Sequence, residues 1–116
     1  TKDKQKRYQY HKEGLTTFCE YITEKDKNNE LSSEDCYLWG IMQLNFANFM
    51  GDKPNLYQLT IASFKKSLSI EENSTVYKIL GNTQLKLATL VPERSAELAR
   101  HGMNNIEKGA KMEHME

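Results

Sequence analysis

The sequence predicts an all-α fold of about five antiparallel helices. Three observations carry this. Two prolines and a few turn-forming clusters divide the 116 residues into helix-length pieces. Apolar residues within the pieces recur three and four apart, and no stretch sustains the period-two alternation of a strand. Hydrophobic residues make up 38% and charged residues 28%, as expected of one domain with a polar exterior over apolar stripes.

The first helix is expected from about Lys4 to Lys25, where Tyr8, Leu15, Phe18, Cys19 and Ile22 share a face. Gly14 interrupts it at a cost of ~1 kcal/mol relative to alanine. A polar loop, Asp26 to Glu30, follows. Ser32 or Ser33 suits the N-cap of a second helix over 33–51, with Glu34 and Asp35 favouring the positive end of its dipole. That helix is the most apolar of the five, from Tyr37 to Met50, and its coverage exceeds one stripe. It is expected to pack on both sides, with Trp39 at the centre of the core.

Gly51 and Pro54 end the second helix. Asn55 and Gln58 have the spacing of a capping box for a third helix over 55–70, striped by Tyr57, Ile61, Phe64 and Leu68. The break at Glu71–Ser74 precedes a fourth helix over 74–91, with Val76, Leu80, Leu87 and Val91 in line. Pro92 suits the first position of a fifth helix over 92–111. Ala96, Ala99, Met103, Ile106 and Ala110 form its small-residue stripe, and the tail beyond Lys111 is expected to fray.

Helices two and three, and again four and five, resemble the paired helices of a tetratricopeptide repeat. Tyr77-x-x-Leu80-Gly81 carries the resemblance in the first helix of a pair, with Cys36-x-x-Trp39-Gly40 as a looser copy. Thr60, Phe64, Ser67 and Glu72 carry it in the second helix, echoed by Ala99, Met103 and Ile106, and faintly by Gly14, Phe18 and Tyr21. Gly40 and Gly81 are 41 residues apart, against ~34 in the family. The resemblance implies an α-solenoid fragment of about two and a half repeats; a compact five-helix bundle is the alternative.

It also implies function. Stacked helix pairs form a concave face that binds peptides or helices of other proteins, so the expected role is an intracellular adaptor or complex subunit. Lys78 and Asn82 match the form of residues that hold a peptide's terminal carboxylate in some family members, although Tyr37 and Ile41 stand at the equivalent places of helix two. Independently of the family, Gln43, Asn45 and Asn48 punctuate an apolar helix. Buried without partners, each amide costs a few kcal/mol, so each either bonds internally or faces a groove. The five candidate partner-binding residues are therefore Gln43, Asn45, Asn48, Lys78 and Asn82.

Other functions find little in the residues. The 16 basic and 16 acidic residues balance, so no overall field steers nucleic acid. The exception, a basic start with Lys2, Lys4, Lys6 and Arg7, supports the alternative of a helical nucleic-acid-associated subunit. His11, His101 and His114 occur singly, without zinc-ligand spacing, and no phosphate loop or nucleophile elbow is present. No enzyme activity, metal or cofactor is expected. Cys19 and Cys36, far apart in sequence, are expected as buried reduced thiols in the cytoplasm, in the nucleus or at an organelle surface. No apolar run reaches the ~18–20 residues of a membrane span. Self-association through an exposed end of the stack is a further expectation.

Overall fold

A computed structural model describes residues 1–115. Five α-helices account for nearly all of them: α1 (Lys2–Lys27), α2 (Ser33–Met50), α3 (Pro54–Ile70), α4 (Ser74–Ala88) and α5 (Ser95–Met115). A 3₁₀ turn over Pro92–Arg94 precedes α5. The fold is all-α, and the described residues contain no strand.

The helix starts follow capping chemistry. Thr1 caps α1 by accepting from the Lys4 amide at 3.3 Å. Ser32 caps α2 in a reciprocal box: its hydroxyl accepts from the Asp35 amide at 3.0 Å, and the Asp35 carboxylate accepts from the Ser32 amide at 3.1 Å. Asn73 caps α4 through the Val76 amide at 3.2 Å. The box expected at Asn55 does not form. Pro54 already occupies the first turn of α3, where its fixed φ suits a helix start and its missing N–H costs nothing.

Helix-to-helix contacts set the chain direction. Ser33 at the head of α2 meets Ser67 near the end of α3, while Asn48 near the end of α2 meets Tyr57 at the start of α3. Tyr21 meets Asp35, and Gly81 lies against Gly102. Neighbouring helices in these three pairs are thus antiparallel. Each helix packs chiefly on those adjacent in the chain; the α4–α5 interface is the most extensive, and α1–α2 the sparsest of the four. Such a row does not close on itself. Its Cα radius of gyration is 15.0 Å, where a compact domain of this length has about 13 Å.

The core lies between α2, α3, α4 and the start of α5. Tyr57, Phe64 and Leu87 are almost fully buried, joined by Ala47, Ile61, Val76, Leu80 and Leu98. Trp39 is not its centre, contrary to the sequence expectation. It is half-buried on the opposite face of α2, its ring stacked at 5.8 Å on Phe18 of α1. Hydrophobic size points to burial but does not select between two apolar faces of one helix.

Three further expectations need correction. The stripe of α5 is shifted: Leu98, Gly102 and Gly109 are buried and Met103 is exposed. The glycines let α5 approach α4 backbone to backbone; a Cβ on Gly102 would lie 2.8 Å from the Gly81 carbonyl oxygen, and one on Gly109 2.7 Å from that of Ser74. Helix α5 also continues through the tail to Met115, where Lys78 pairs with Glu113 and Lys111 with Glu107. Cys19 is exposed, and only Cys36 is buried.

Candidate functional site

Helix α1 buries no residue completely. It lies on α2 through His11, Leu15, Phe18 and Ile22, all half-buried. His11 sits 5.7 Å from the ring of Phe46 and 5.0 Å from that of Phe49, and Tyr8 sits 6.0 Å from Phe46. At the other end the Tyr21 hydroxyl donates to the Asp35 carboxylate at 3.0 Å. That bond pushes the Tyr21 phenol up from its ordinary range, with desolvation and the Asp35 charge adding to it. Desolvation pushes the Asp35 carboxyl up, but hydrogen bonds from the Ser32 amide, the Ser32 hydroxyl and Tyr21 outweigh it and hold it below its usual range.

The sparse seating of α1 leaves a groove between α1 and α3, with α2 as its floor. One part, about 600 Å³, is lined by Leu15, Thr16, Cys19, Glu20, Glu24 and Trp39. A second, about 190 Å³, is lined by Leu15, Trp39, Gln43, Phe46, Leu56 and Leu59. Leu15 and Trp39 line both, so the two parts adjoin at these side chains. The groove surface is mainly apolar, and Leu59 on the α3 wall is 54% exposed.

The five residues singled out from sequence do not gather on one surface. Gln43 lines the groove, with its carbonyl accepting from the Ser63 hydroxyl across the α2–α3 seam. Asn48 accepts from the buried Tyr57 through its hydroxyl, at 2.8 Å. Asn45 faces a separate recess beside Tyr10, His11 and Met42. Lys78 pairs with Glu113 on α5, and Asn82 is exposed on α4. Two of the three α2 amides thus hold α3.

Of the residues that build the groove, Leu15 and Trp39 were legible singly as apolar positions, whereas Leu56 and Leu59 lie off the stripe read for the third helix. Leu15, Trp39, Leu56 and Leu59 come from three helices, and no spacing within one helix reports that they meet. A recess between the heads of α2 and α4, lined by Ser33, Glu34, Tyr37, Glu71 and Thr75, is more polar. There Ser33 and Ser67 exchange hydroxyl and carbonyl bonds at 2.9 Å, tying α2 to α3.

Fold and groove together define a class: an open row of antiparallel helices with an apolar furrow along one side. Among the described residues no helix is long and apolar enough to cross a membrane, and no three His, Cys, Asp or Glu side chains cluster as metal ligands. Comparisons with protein-family models, with curated proteins and with solved structures find no match to this chain.

Proposed function

We propose that this chain is a protein-interaction module, an adaptor or a subunit of a larger complex, that holds a helix of another protein in the groove over α2. It acts by binding and carries no catalysis of its own. The observation behind this reading is the unpartnered apolar furrow in which Trp39, Leu15 and Leu59 meet. Apolar furrows between helices accept the apolar stripe of a further helix. The floor runs from Trp39 to Phe46, about two helical turns.

The kinship we propose is with tetratricopeptide-like repeats. Its support is a matched contact in the two hairpins. A Cβ on Gly40 of α2 would lie 2.5 Å from the Phe64 ring of α3, and one on Gly81 of α4 would lie 2.7 Å from the Ile106 side chain of α5. Both hairpins therefore set a glycine of the first helix under a large residue of the second. The groove opens beside α1 and α3, away from the α2–α4 side where the family resemblance had located binding.

Selection from a displayed library of helix-forming peptides tests the function. Enriched peptides are expected to shift the fluorescence of Trp39, the only tryptophan, and to lose binding to a folded Leu59→Asp variant. Peptides that bind without moving Trp39, or that tolerate Leu59→Asp, would place the binding site elsewhere and refute this reading.

A further inference from the structure

The two walls of the groove differ in charge. Glu20 and Glu24, one turn apart on α1, line it, and neither lining set contains a lysine or arginine. Lys12, one turn before Leu15 and Thr16, and Lys27, one turn after Glu24, stand on the same face of α1 outside both lining sets, and Lys25 is engaged by Glu30 at 3.5 Å. On α3, Lys66 is exposed. It follows Leu59 by seven residues and so stands on the same line of that helix.

Building on the proposed binding of a partner helix, we infer that the groove takes an amphipathic helix with a basic flank along α1, against Glu20 and Glu24, and an acidic flank toward Lys66. Apolar contact with Leu15, Trp39 and Leu59 supplies the attraction, while the opposed flanks fix the direction in which the helix lies. A helix turned end for end would set its basic flank against Lys66 and its acidic flank against the two glutamates. Charges of this kind select register and partner more than they add affinity.

The test uses the full chain and two synthetic peptides of about 18 residues, five turns. Both carry the same leucine stripe; one has a lysine flank and a glutamate flank, the other glutamine on both. Trp39 fluorescence reports binding. The charged peptide is expected to bind about fivefold tighter at low salt, as two exposed ion pairs allow. Glu20→Gln/Glu24→Gln/Lys66→Gln should abolish that preference while the glutamine peptide still binds. Equal affinities, or a preference that survives the triple substitution, would overturn the charge assignment and leave helix binding intact. If neither peptide moves Trp39, helix binding in this groove is itself refuted, and the charge assignment with it.

Discussion

Gly81 and Gly51 separate two reasons for a glycine. At Gly81 a methyl group would lie 2.5 Å from the Gly102 carbonyl oxygen, which is backbone and cannot swing away. Gly51 has φ of 85° with open space around it, so a side chain meets only conformational strain. Gly81→Ala should therefore cost at least about 2–3 kcal/mol in urea denaturation, through forced separation of α4 and α5. Gly51→Ala should cost about 1–3 kcal/mol through backbone strain alone. A Gly81→Ala loss below about 1 kcal/mol would contradict the backbone-to-backbone contact. The α2 amides divide similarly. Asn48→Ala removes the acceptor of the Tyr57 hydroxyl and should cost about 1 kcal/mol, while Asn45→Ala should stay within about 0.5 kcal/mol. A neutral Asn48→Ala would show that water replaces the amide.

Helix α1 depends on one polar contact and a few half-buried rings, so its docking responds to pH. The Asp35 carboxyl is held low, so its contribution is complete above about 3.9 and fades as pH falls below that. The Tyr21 phenol is raised, so its contribution is complete below about 10 and fades above that. The stability difference between the wild type and Tyr21→Phe should thus be constant from about pH 5 to 9 and shrink outside that window. A difference independent of pH down to about 3 would remove Asp35 as the partner. All five helices were legible from apolar spacing, and the α2 cap from Ser32. The seam of α5 was not, because Gly102 and Gly109 count as helix breakers rather than as contact residues. The same spacing that reveals a stripe, read without glycine, lands one position away on Met103. Nor does sequence reveal which face of α2 is covered thickly and which thinly, and the candidate groove exists because of that difference.

Across the whole molecule, contacts between chain neighbours dominate, and each seam has its own strength. The α1–α2 seam is the sparsest and buries no α1 residue completely, so α1 is expected to release before the rest unfolds. In a urea titration Trp39 fluorescence should change at lower denaturant than far-ultraviolet circular dichroism, which follows all five helices. Coincident transitions would mean that α1 and the α2–α4 core unfold as one unit. At the opposite end, α5 is held by nearness of main chain to main chain, with Gln84 and Asn105 joined across the seam at 2.7 Å. A joint of that kind has no spare room to be refilled by a different side chain. Drift in the amino-acid sequence should accordingly be lopsided, free along the outward faces of α1 and arrested at positions 81, 102 and 109.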